Sequence, residues 1–166
     1  MFITAITLLL LSSPTPVDVS ANRQIAAPCQ VIEDRAILYL EEHDFYTKIK
    51  TQEPDLIIEI GSLKHILAPS GKPLSLNRFN IQKYTFHRHL SPLKSYADFH
   101  LEGHLRLAKA TEESCNVSLH FDISAYEYVW FLGMIDDGYR SKFFSNGTLE
   151  HLYIDPISKS LTKDTH

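Results

Sequence analysis

Residues 97–107 read ADFHLEGHLRL and residues 117–125 read VSLHFDISA. In the first run the odd positions are Ala97, Phe99, Leu101, Gly103, Leu105 and Leu107, and the even ones are Asp98, His100, Glu102, His104 and Arg106. In the second, Val117, Leu119, Phe121, Ile123 and Ala125 alternate with Ser118, His120, Asp122 and Ser124. Alternation of period two means a strand with one buried and one wet face. The polar linker Lys109 to Asn116 between the runs predicts an antiparallel pair. If Leu105 lies opposite Leu119, then His104 lies opposite His120 and Glu102 opposite Asp122; a register moved by two residues sets Glu102 against His120 instead, a salt bridge and no site.

Downstream of Ala125 the bulky set is even: Tyr126, Tyr128, Trp130, Leu132 and Met134. A strand changes its buried parity only at a bulge or break, which predicts one between Ser124 and Tyr128. The alternative is a strand buried on both faces. Asp137-Gly138 and Asn146-Gly147 match the preferred type I′ turn, whose central residues need positive φ. The first turn would put Trp130, Leu132 and Met134 on one face with Tyr139 and Phe143. The second would add Leu152 and Ile154 to that face.

Towards the N-terminus, Asn22 to Ala27 reads as a short flexible leader. Pro28 suits the first position of a helix. Ile32, Ala36, Tyr39, Leu40 and His43 then recur at helical spacing, predicting an amphipathic helix from about Cys29 to about Asp44. Phe45 to Lys50 alternates as a strand would. Leu56 to Leu67 favours a strand followed by a turn over a helix, because Gly61 weakens a continuous helix. Residues 68–73 are a loop by composition. Leu74 to His89 reads as an irregular strand with Phe79, Ile81, Tyr84 and Phe86 as core contacts. The polar tail after Ile154 is expected to fray. The resulting expectation is an α+β domain over residues 22–166, with an N-terminal amphipathic helix packed on a mostly antiparallel β-meander.

The chain of 166 residues opens with MFITAITLLLLSSPTPVDVSA, residues 1–21. Its apolar run from Phe2 to Leu11 is too short to span a bilayer, and Val19-Ser20-Ala21 suits signal-peptidase cleavage. The expected signal peptide implies a secreted protein, periplasmic or extracellular if bacterial. Removing 21 residues leaves 145, enough for a core. The removed part holds one acid, Asp18, and no base, so the formal charge moves from −4 to −3. That balance argues against nucleic acid, and no dense Lys/Arg cluster is present for anionic lipid. Export predicts a disulfide between the two cysteines, Cys29 and Cys115, with two buried free thiols as the alternative. Asn116 and Asn146 each open a glycosylation sequon, usable if the source is eukaryotic.

The sequence lacks a nucleophile elbow, a P-loop, a dinucleotide fingerprint and an H-E-x-x-H motif. Three functional expectations follow. A secreted binding or interaction module, for an unknown small molecule or protein, is favoured over an enzyme. The second is a metal-binding protein or metal-dependent hydrolase, with a divalent ion held on the wet strand face by His100, His104, His120, Glu102 and Asp122. His87 or His89 would add a ligand from a neighbouring strand. Imidazole and carboxylate suit zinc and similar ions. A solvated face of mutually paired charges accounts for the same residues. The third is a structural envelope protein.

Overall fold

The computed structural model describes residues 19–51, 53–62, 66–86, 94–131, 134–135 and 139–162. It is a mixed α+β structure built on a mostly antiparallel sheet. Its frame is the hairpin of β6 (Lys94–Thr111) and β7 (Ser114–Phe131). These strands turn at Glu112 and Glu113, so the expected linker is mostly strand. Leu105 lies opposite Leu119, His104 opposite His120 and Glu102 opposite Asp122, the first of the two registers weighed from the sequence. Around this hairpin the sheet runs β1 (Ala21–Ile25), β7, β6, β3 (Leu56–Ser62), β2 (Phe45–Thr51). A small hairpin of β4 (Ile66–Leu67) and β5 (Pro73–Leu74) stands apart. Two further strands, β8 (Met134–Ile135) and β9 (Tyr139–Phe143), also pair with β7.

The described residues also form three helices: α1 (Cys29–Glu41), α2 (Ile81–Tyr84) and α3 (Thr148–Thr162). Pro28 occupies the N-cap of α1, one residue before its first turn. The stripe Ile32, Ala36 and Leu40 is fully buried. From α3, Leu149, Tyr153, Ile154 and Ile157 join it at helical spacing. They meet the odd face of the hairpin, where Leu101, Leu105, Leu107, Val117, Leu119, Phe121 and Ile123 are buried. Phe45 stacks on Phe121 at 5.6 Å, and Tyr153 meets Phe45 edge-on at 5.1 Å. Tyr153 Oη donates to the Leu67 carbonyl at 2.9 Å, so its polar tip is satisfied inside the core. Cys29 and Cys115 form a disulfide with Cα atoms 5.1 Å apart.

Several sequence expectations give way. Residues 22–25 are not a leader: they pair with β7 from Asn22↔Ser118 to Ile25↔Cys115, because β7 would otherwise present an unpaired edge. Asn146-Gly147 is not a hairpin turn. Gly147 does have positive φ (85°), but the dipeptide precedes α3, and Asn146 Oδ1 accepts from the Thr148 N–H at 3.0 Å. Leu152 and Ile154 are therefore helical, and the chain through Thr162 is helix, not frayed tail. Of the irregular strand expected at Leu74 to His89, the described part up to Phe86 is the end of β5, a turn and α2, and residues 87–89 lie outside the described residues. Ile81 and Tyr84 are buried there, but Phe79 and Phe86 are exposed. Asp137-Gly138 lies outside the described residues.

The parity switch belongs to β6 rather than β7. β7 keeps its odd face buried through Ala125 and Glu127. On β6, Asp98 and Phe99 share the place opposite Ala125, since Ala97 pairs with Tyr126 and His100 with Ser124. Asp98 takes φ 50° to make this bulge. Below it Tyr96 replaces the odd series on the inner face, and its ring meets Phe143 edge-on at 5.6 Å. Phe143 pairs with Ile123 and joins the first apolar face, not a second one.

Candidate functional site

The even face of β6 and β7 carries the residues singled out from the sequence. His104 and His120 are brought together, with ring centroids 5.2 Å apart and planes at 48°. Desolvation first, then the neighbouring His120, holds the His104 pKa below its ordinary value. His120 is largely buried, and its Nδ1 has no hydrogen-bond partner. The acids are engaged elsewhere. Asp122 accepts from Lys142 Nζ at 2.5 Å and lies 3.8 Å from His120 Nε2. Burial pushes the Asp122 pKa up, but the Lys142 hydrogen bond and charge outweigh it and leave the carboxyl below its usual range. Glu102 pairs with His100 Nε2 at 2.8 Å.

The rest of this face continues the pattern. Lys50 meets Glu59 at 2.7 Å, and Arg106 pairs with Asp55 through both Nε and a terminal nitrogen. A shallow depression of about 550 Å³, bordered by Tyr46, Lys50, Glu102, His104 and Asp122, opens there. Among the described residues no three His, Cys, Asp or Glu side chains are grouped as a metal ion would need. His87 and His89 lie outside the described residues. Neither sequon asparagine stands on a free loop: Asn116 is within β7, and Asn146 Nδ2 donates to the Lys83 carbonyl at 3.0 Å.

A second concavity carries a different chemistry. A cleft of about 620 Å³ opens where the β6 bulge faces β4, β5 and residues 75–77. Ile66, Leu74, Leu76, Tyr96 and Phe99 supply its apolar wall. Asn77, Asp98, His100 and Arg140 supply polar groups around it. Arg140 lies over the Tyr126 ring, 5.0 Å from its centroid, and donates to Ser124 Oγ at 3.0 Å. The bulge makes this site. It sets Asp98 and Phe99 together opposite Ala125, in a cleft shared with residues that the chain delivers from more than twenty positions away.

Of this cleft the sequence singled out His100, and Asp98 only as a neighbour on the wet strand face. Ile66, Leu74, Leu76 and Asn77 lie in short irregular segments without periodicity, so no local signal marks them. The perfect alternation across Ala97, Phe99 and Leu101 hid the bulge. Comparison with protein-family models, with curated proteins and with solved structures gave no match.

Proposed function

We propose that the protein is an exported binding module, and that its ligand is a small amphipathic molecule docked in the cleft at the β6 bulge. The observation that carries this is the cleft itself. About 620 Å³ is the size of a small-molecule site, and its apolar wall faces at least as large a share of polar groups, a division that suits an amphipathic ligand. Export is supported by the leader-like start of the sequence and by the Cys29–Cys115 disulfide, which an oxidising compartment maintains. No described helix is long and apolar enough to cross a membrane. Arg140 at the rim would receive an anionic head group, and Leu74, Leu76 and Phe99 the apolar body.

The test uses 8-anilinonaphthalene-1-sulfonate, whose aromatic rings and sulfonate match that division. It should bind the folded protein at one site with enhanced fluorescence. Arg140→Gln and Leu76→Glu should each weaken binding about tenfold, the scale of one charge-assisted contact. A probe that fails to bind, or binds unchanged in both variants, removes the cleft as the ligand site.

A further inference from the structure

Residues 60–97 contain no Asp or Glu, although the chain has 20 of them. The same 38 residues hold six of its 16 Lys and Arg residues. The remainder, with ten bases against 20 acids, carries a formal charge of −10. The molecule is thus acidic as a whole and basic along one segment. Its cations are spaced rather than clustered. The segment's positive character comes as much from the missing acids as from the bases.

Within it, Phe79 is 92 % exposed. The turn that displays it is firmly built. Asn77 Oδ1 accepts from the N–H groups of Phe79 at 2.9 Å and Asn80 at 3.2 Å. Asn80 Oδ1 accepts from the Asn77 N–H at 2.8 Å, and Asn80 Nδ2 donates to the Ser75 carbonyl at 2.8 Å. Next in the chain, α2 is anchored by buried Ile81 and Tyr84 and by the Asn146 N–H donating to the Tyr84 carbonyl at 3.1 Å. The backbone is therefore fixed while the largest apolar side chain of the turn is left in water. Exposed Lys72 and Lys83 and half-buried Arg78 lie within seven residues of it in the chain, and Phe86, 45 % exposed, follows.

We propose that residues 68–86 dock the protein on an anionic lipid surface, with Phe79 entering the interface and Lys72, Arg78 and Lys83 facing the head groups. A protein partner normally grips an aromatic anchor at the centre of a packed patch. Phe79 is instead the exposed tip of a tight turn, with three cations within seven residues of it in the chain. A head-group layer accepts such a tip without shape complementarity and adds attraction for each base. The absence of acids from the segment matters because the acidic remainder of the chain is repelled by such a surface, which favours an approach through these residues.

The test is sedimentation of the full chain with vesicles of equal parts phosphatidylglycerol and phosphatidylcholine, and with vesicles of phosphatidylcholine alone. Wild type should bind the first and not the second, and less tightly as salt is raised. Replacing Lys72, Arg78 and Lys83 together by Gln should weaken binding roughly a hundredfold, at about fivefold per base near the surface. Phe79→Ala should weaken it about tenfold with unchanged thermal melting, since the side chain packs on nothing that holds the fold. Phe79→Trp should restore binding, with indole fluorescence quenched by brominated acyl chains beyond the Trp130 background. Wild type that leaves both vesicle populations unbound overturns the proposal in favour of an acidic protein partner. Binding that ignores Phe79→Ala, or that does not discriminate phosphatidylglycerol, overturns it equally.

Discussion

Glu150 shows how much one buried carboxyl can organise. β1 ends its pairing at Leu119 and β9 begins at Ile123, so the edge of β7 is open at Phe121. Glu150 reaches from the first turn of α3 and fills that gap. Its Oε1 accepts from the Phe121 N–H at 3.1 Å and its Oε2 from Ser145 Oγ at 2.8 Å. Ser145 Oγ in turn accepts from the Gly147 N–H at 3.2 Å. Burial pushes the Glu150 pKa above its ordinary 4.5, against these hydrogen bonds. A raised folded-state pKa means that this group's contribution is complete below 4.5 and is lost as pH rises through the folded-state value. The amide of Glu150→Gln keeps an acceptor for Phe121 and offers a donor to Ser145 without ionising. Its stability relative to wild type should grow from acidic to neutral pH, read as urea midpoints. Glu150→Ala strands the Phe121 N–H and should cost about 1–3 kcal/mol. A Gln variant whose difference from wild type is flat with pH would show that Glu150 does not carry this titration.

Among the elements, the β6–β7 hairpin sets the positions of everything else, and Gly103 sets how closely its strands approach. Gly103 pairs with Phe121, and a Cβ at this position would overlap the His120 backbone carbonyl oxygen. Neither strand can give way without disturbing the His104–His120 pair on one face and Phe121 on the other. Gly103→Ala should therefore cost roughly 1–3 kcal/mol, as overpacking does. Gly71 is the comparison. It has φ 74° with open space around it, so Gly71→Ala carries only the backbone cost of about 1 kcal/mol. Chemical denaturation should rank Gly103→Ala as the more damaging change, and the reverse order would contradict the close strand approach. The buried face of the hairpin was legible because Leu105 and Leu119 each belong to a long alternating run, whereas alternation leaves the register open to a slip of two residues. The bulge at Asp98 was not legible, since a bulge changes which face a residue meets without changing its sequence alternation.

For the whole molecule, the disulfide joins the first residue of α1 to the second residue of β7, across 86 positions. It ties the helix to β7, the strand that pairs with β1, β6, β8 and β9. Closing so long a loop restricts the unfolded chain, and reduction should lower stability by about 2–4 kcal/mol. Urea midpoints with and without reductant measure this, and coincident midpoints would show that packing alone holds α1 in place. The same scale reveals the charge division, with a basic stretch in an acidic chain and the aromatic tip of Phe79 within it.

By itself the sequence determined what repeats along a short length. The alternation of Ala97–Leu107 and Val117–Ala125 specified a half-buried hairpin and the face that His104 and His120 share, while the folded chain decided that the two stand opposite each other. Two cysteines in a chain with a leader-like start pointed to one bridge. Tertiary structure decided where a segment's partner lies elsewhere in the chain. Residues 21–25 are a strand because β7 has an edge to fill, and Asn146-Gly147 opens a helix because Leu149, Tyr153, Ile154 and Ile157 find a core to enter. The cleft lies where the β6 bulge meets residues of β4, β5 and the segment 75–77, which are distant in the chain. Periodicity is local because burial of one face imposes it residue by residue. Edges, helix starts and clefts depend on which surfaces remain to be covered, and only the folded chain supplies them.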